Sequence, residues 1–148
     1  MNIAIIFPLL AVISGAITAY QPLINAKLSQ NLDSPIWASF ISFAVGTVAL
    51  LIVGLIINGK FMDLETEGLK WWMWTGGLLG AVFVTVALYV VPYLGVAVLV
   101  SLLIAGQLFM AAVLDHFGVL SESANPISLQ KLAGMTLLAI GAIITLKA

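Results

Sequence analysis

Residues 71–114 read WWMWTGGLLGAVFVTVALYVVPYLGVAVLVSLLIAGQLFMAAVL, without a single Asp, Glu, Lys, Arg or His. An α-helix rises about 1.5 Å per residue, so roughly 20 apolar residues cross the hydrocarbon core of a bilayer. The stretch is about twice that length. Its middle carries Pro92, Tyr93, Leu94 and Gly95. Proline lacks an amide donor and glycine accepts backbone conformations closed to other residues, so the chain is expected to fold back there. The reading is two membrane-spanning helices joined by a very short turn.

The rest of the 148-residue chain agrees: 63% of residues are hydrophobic and 7% charged, with a mean hydropathy of +1.22. A soluble domain carries about 25% charged residues, so that class is excluded. The length suits one domain, 1–148. No cysteine is present, which rules out disulfides and thiolate metal sites. A net charge of −1 gives no reason to expect nucleic acid as a partner. The N-terminal MNIAIIFPLL has no basic residue before its apolar run, unlike a secretory signal, and reads as a retained helix.

Working outward, the sequence predicts an all-α membrane protein of five helices, at about 3–26, 35–57, 71–91, 95–114 and 128–146. Pro22 is placed to kink the first helix. LSQNLDS (28–34) reads as a polar link, with Asp33 or Ser34 capping the second helix and Pro35 in its first turn. Asn58-Gly59-Lys60 ends that helix, and KFMDLETEGLK (60–70) reads as a solvated loop. Asp115-His116 closes the fourth helix. The uncharged part of the fifth is short for a span, so Lys131 is expected to extend its amine towards the headgroups.

Five spans put the termini on opposite sides, with Lys60, Lys70 and Lys131 facing one side and Lys27 and Lys147 the other. Orientation follows Lys and Arg excess in short loops, and three against two is almost no bias. Insertion in both orientations is expected. Phe61, Trp71, Trp72 and Trp74 fall at one interface; Tyr20, Trp37, Tyr89 and Tyr93 fall near the other, as amphipathic rings do at headgroup level.

Residues four apart share a helix face. Small residues recur at that spacing: Ala11, Gly15 and Ala19; Ala38, Ser42 and Gly46; Gly77, Ala81 and Thr85; Ala97, Ser101 and Ala105. In lipid such stripes allow close backbone approach. Strongly polar groups inside the spans are few, and burying an unpaired amide is costly. Gln21 and Asn25 lie four apart on the first helix, and Gln107 lies mid-way along the fourth. These amides either bond neighbouring helices or line a polar cavity that orients a substrate. Ser42 is a further candidate lining group, and Trp37 can cover an apolar face of a ligand. Asp115 and His116 are candidate proton-relay groups, weighed against a plain interfacial helix terminus. One histidine, no cysteine, no metal cluster and no phosphate-binding glycine loop leave little for catalysis, so neither an enzyme nor a cofactor is expected.

Six stretches carry a family resemblance: QPLINAKL (21–28), SPIWASFISFAVGT (34–47), WTGGLLGA (74–81), PYLG (92–95), AGQL (105–108) and DHFGVL (115–120). In their order and spacing they resemble the YdcZ-like proteins, inner-membrane exporters of the drug/metabolite transporter superfamily. The resemblance spans nearly the whole chain. It implies one five-helix half of the ten-helix, inverted-repeat architecture found in larger members of that superfamily, hence an antiparallel homodimer or a heterodimer with a paralogue. Family members often carry a basic residue between the proline and leucine of PxLG, where this chain has Tyr93. AGMTLLAIGAII (133–144) also resembles the last helix of small multidrug-resistance transporters, which implies a dimer seam at Gly134 and Gly141. Those transporters carry a glutamate in their first helix; this first helix has no acidic residue. The resemblance implies a multi-pass inner-membrane transporter for a small polar or amphipathic metabolite, working by alternating access. A non-transporting scaffold subunit is the competing reading.

Overall fold

Ser34 and Pro35 set the start of a long, strongly apolar helix. The Ser34 hydroxyl accepts the Trp37 backbone N–H at 3.3 Å, satisfying one of the amides a helix leaves open at its first turn. Pro35 follows at the first helical position, where its missing N–H costs nothing. The helix, α3 (Pro35–Asn58), ends on Gly59 at φ 68°, whose N–H reaches the Leu55 carbonyl.

In this computed structural model, residues 3–59, 67–119 and 124–148 are described. All the regular structure among them is helical. Before α3 come α1 (Ile3–Thr18) and α2 (Tyr20–Leu32); after it come a 3-10 turn (Trp71–Thr75), α4 (Gly76–Phe117) and α5 (Leu129–Lys147). Two compact units are distinguished, Met1–Pro92 and Tyr93–Ala148.

In the first unit, the chain read as one helix over 3–26 is interrupted at Ala19. Pro22 has no N–H to offer the Thr18 carbonyl and its ring crowds that oxygen. Ala19 keeps a near-helical backbone, φ −64° and ψ −20°, so the interruption is a kink. The helix then runs further than expected. Most of 28–34, read as a polar link, is helical up to Leu32, and the turn shrinks to Asp33 and Ser34. The reason is local: Asp33 adopts a left-handed φ of 50°, and its N–H and that of Ser34 both donate to the Ser29 carbonyl. With so short a connection, α2 packs directly against α3. Ser29 is buried, as is Ala38 on α3. The first part of α4 is tied to α3 by a hydroxyl pair, Thr85 to Ser39. Gly80 also meets Phe43 so closely that an added Cβ would lie 3.3 Å from its ring. Of the loop expected over 60–70, residues 60–66 lie outside the described part.

Within 92–95, where the chain was expected to fold back, the helical backbone is broken at one residue. Pro92, Tyr93 and Leu94 are helical, and Gly95 alone leaves the helix, with φ 74° and ψ 166°. Trp71–Thr75, read as the start of a span, is a 3-10 turn preceding α4.

In the second unit, α4 ends in a double amide cap: the Val119 N–H reaches the Leu114 carbonyl at 2.9 Å and the Gly118 N–H the Asp115 carbonyl at 3.2 Å. The chain returns against that end through Asn125 N–H to Asp115 O, 2.8 Å, and Ile127 N–H to His116 Nδ1, 3.3 Å. The Ser128 hydroxyl caps α5 by accepting the Lys131 N–H. Lys131 is half-buried.

Four segments are long and apolar enough to cross a bilayer: Ile5–Leu32, Pro35–Ile57, Trp71–Phe117 and Leu129–Lys147. Large apolar side chains make up most of their exposed surface, as lipid requires, although polar residues such as Gln21, Lys27 and Gln107 are exposed as well.

Candidate functional site

A polar side chain in a membrane segment needs a partner, and its cheapest one is its own helix. The described threonines show this. Thr18, Thr47, Thr136 and Thr145 donate to the carbonyl four residues back, and Thr75 donates to the one three back. Thr85 does not. Its hydroxyl reaches across to Ser39 Oγ at 3.0 Å, and the Ser39 hydroxyl in turn donates to the Pro35 carbonyl at 2.9 Å.

Three polar side chains in the first unit are buried: Asn25 at 6%, Ser29 at 8% and Ser39 at 5% exposure. Asn25 and Ser29 are one turn apart on α2; Ser39 and the half-buried Ser42 are three apart on α3 and share a face. Asn25 lies eight residues before Asp33 and Ser42 eight after Ser34, each about 12 Å along its helix from the turn. No enclosed side-chain nitrogen or oxygen lacks a partner among the described residues. Asn25 and Ser29 are thus buried on α2, and Ser39 of α3 is bonded to Thr85 of α4.

The expected lining residues divide accordingly. Asn25 is buried and Ser42 half-buried, on the two helices that pack together. Gln21, one turn before Asn25, is exposed. Trp37 is 60% exposed, its ring edge-on to Phe40 with centroids 5.6 Å apart. Gln107, in the second unit, is exposed on α4. Asp115 and His116 are exposed at the end of α4. There the Asp115 backbone oxygen and the His116 ring act as acceptors for the returning chain. Gly134 and Gly141 are exposed, and a methyl group added at either would meet nothing within 4 Å. Gly141 lines an open groove of about 340 Å³ with Ser101, Ile104, Leu137, Leu138, Ala142 and Thr145. The groove is polar in name only, since the Ser101 and Thr145 hydroxyls donate to Val98 and Gly141 carbonyls. Among the described residues no group of three His, Cys, Asp or Glu could hold a metal.

Over residues 6–144 the sequence matches the family described as "Putative inner membrane exporter, YdcZ". The chain belongs to the YdcZ family. With several segments able to span a bilayer, this YdcZ-family protein is a multi-pass protein of the inner membrane. No curated protein and no solved structure matches the chain.

Sequence reasoning alone passed over Ser29 and Ser39. Ser39 looks like any small residue flanking the stripe Ala38, Ser42 and Gly46, and its partner Thr85 is 46 positions away. The available signal was Thr85 itself, a β-branched hydroxyl ending the stripe Gly77, Ala81 and Thr85.

Proposed function

We propose that this YdcZ-family chain is one half of a transporter. Two copies of opposite orientation form a ten-helix homodimer around a shared site, which rocks between the two sides of the membrane and exports a small polar or amphipathic metabolite. The observation that supports this is the burial of Asn25, Ser29 and Ser39 in an otherwise apolar chain of an exporter family. Buried amides and hydroxyls face the bundle interior rather than lipid, where they can pair between helices or meet a substrate.

The two parts of α4 on either side of Gly95 are proposed as separate spans. Its segment of 47 residues would otherwise exceed the membrane by about twofold. Five spans and nearly balanced lysines then favour insertion both ways. In such a dimer the second copy supplies the inverted repeat that larger transporters carry in one chain, with substrate near the midplane. Gln21, Asn25, Trp37, Ser42 and Gln107 are the proposed lining residues, the amides orienting a polar group while Trp37 covers an apolar face.

The test begins with a C-terminal reporter, expected on both sides of the membrane in the unmodified protein. A thermal-shift screen of metabolites on purified protein follows, since a ligand of the folded state raises its apparent stability. Flux of each stabilising compound into proteoliposomes completes it. A reporter confined to one side refutes the antiparallel homodimer. Absence of any carried compound refutes transport and leaves a scaffold.

A further inference from the structure

We infer that Gln107 is where two oppositely oriented copies of the chain meet. The two Gln107 amides hydrogen-bond each other at the bilayer midplane, so both copies contribute this residue to one site. The inference rests on the antiparallel-dimer reading above.

Beyond Gly95, the second part of α4 runs from Val96 to Phe117, about 33 Å and so one bilayer crossing. Gln107 comes eleven residues after Val96 and ten before Phe117, about 16 Å and 15 Å from the two ends. That depth is the centre of the hydrocarbon, where lipid offers no hydrogen bond. The Ser101 and Thr145 hydroxyls of the same unit are satisfied locally, by the Val98 and Gly141 carbonyls. Gln107 is exposed, and its amide has no partner among the described residues. Met110, Ala111 and Leu114, exposed on the following turns, are apolar. An amide so placed is costly unless a protein surface covers it.

Depth and chemistry together select a second copy. Opposed copies in one bilayer are related by a two-fold axis lying in the membrane plane. A residue above the midplane in one copy is then below it by the same distance in the other. Only a midplane residue meets itself. Glutamine suits that position, because its amide carries both N–H donors and an accepting oxygen. Each copy's N–H donates to the other copy's oxygen, which leaves one N–H and one lone pair per amide for a cargo. An open groove adjoins the amide, since Ile104, three residues before Gln107, lines it with Gly141. A helix of the second copy laid along this side covers both.

The protein has no cysteine, so single cysteines report proximity directly. Val100 and Leu114 lie seven residues to either side of Gln107 on the same face, each about 10 Å from the midplane. In opposed copies the same residue at either position is then about 20 Å from its counterpart, whereas a disulfide needs Cα atoms within about 7 Å. Membranes carrying Gln107→Cys, Val100→Cys or Leu114→Cys, and a co-expressed mixture of the last two, are oxidised and resolved on a non-reducing gel. Gln107→Cys should form a disulfide dimer, and Val100→Cys and Leu114→Cys alone should not. The mixture should give a Val100–Leu114 cross-link; it keeps both amides, so it reads the register even where Gln107→Cys loosens the dimer. Gln107→Leu should weaken dimerisation in mild detergent about three- to thirtyfold, the effect of one interhelical hydrogen bond. Self-cross-linking at Val100→Cys or Leu114→Cys overturns the proposal, as does an unchanged dimer in Gln107→Leu. A C-terminal reporter on both sides of the membrane with no cross-link in the mixture moves the interface elsewhere and leaves the antiparallel dimer standing. A reporter on one side refutes both.

Discussion

Gly95 offers the sharpest test of how the long apolar segment is built. Its backbone, φ 74° and ψ 166°, lies in a region that only glycine occupies without strain; an L residue held there costs about 1–3 kcal/mol. Space is no obstacle, because a Cβ at Gly95 would meet no atom within 4 Å. Gly95→Ala therefore isolates the conformational term. The alanine either bears the strain or relaxes towards helical values, which would merge residues 76–117 into one helix of 42 residues, about 63 Å long. That length is about double the hydrocarbon thickness. The assay is reversible unfolding in mixed micelles, run beside Gly77→Ala as control. Gly77 lies inside α4 with open space around it and no left-handed φ, so alanine there should be neutral or stabilising by up to about 1 kcal/mol. As the protein has no cysteine, a single Cys at position 93 in each background also reports accessibility from water. Gly95→Ala should destabilise by about 1–3 kcal/mol or bury position 93. A variant that is as stable as Gly77→Ala, with position 93 equally accessible, refutes the assignment of the break to Gly95.

Gly59 and Gly118 share a left-handed φ, 68° and 62°, but only Gly118 is crowded, its Cβ position lying 3.1 Å from the Ala124 amide nitrogen. Gly59→Ala should cost about 1 kcal/mol and Gly118→Ala clearly more; equal values in the same unfolding assay would remove the contact from the argument. Gly141→Leu should weaken dimerisation without preventing insertion, as read by cross-linking in mild detergent; an unchanged dimer places the seam elsewhere. Gln107→Ala should abolish ligand binding, whereas Asp115→Asn should leave most of it and alter the pH dependence of flux little, each measured at two pH values. The reverse pattern would move the site to the end of α4.

The helix ends were legible because they depend on neighbours in sequence. Ser34 with Pro35, and Gly59, act through bonds spanning three or four residues; Gly59 was visible as a residue type in the right place, and Ser34 as one of two candidates beside Asp33. The same holds for the break near Pro92, although its collapse onto Gly95 alone depends on a dihedral that composition does not encode. The polar look of 28–34 misled for a different reason. Hydropathy measures affinity for water, whereas Ser29 is buried by α2 packing on α3, and tertiary packing overrides local polarity. At the site, Asn25 stood out because an amide is costly to bury wherever it lies. Ser39 did not, because a serine declares a role only when its partner is known, and Thr85 lies on a different helix.

The choice of hydroxyls over charges has a mechanical consequence for the proposed export cycle. A site that alternates between two sides must pass through a closed state, sometimes empty. A charged lining residue makes that passage costly, since an unpaired Asp, Lys or Arg at the bilayer centre costs about 2.5–3.5 kcal/mol on insertion scales. Ser39 and Thr85 avoid the cost by donating within the protein, Ser39 to the Pro35 carbonyl and Thr85 to the Ser39 oxygen. Closed and empty, they leave no hydrogen unpaired. The return step without cargo is therefore not held back by desolvation, and no ion is required to neutralise the site before it closes. On this argument, the export proposed for this YdcZ-family protein does not depend on a coupling ion at Ser39 and Thr85.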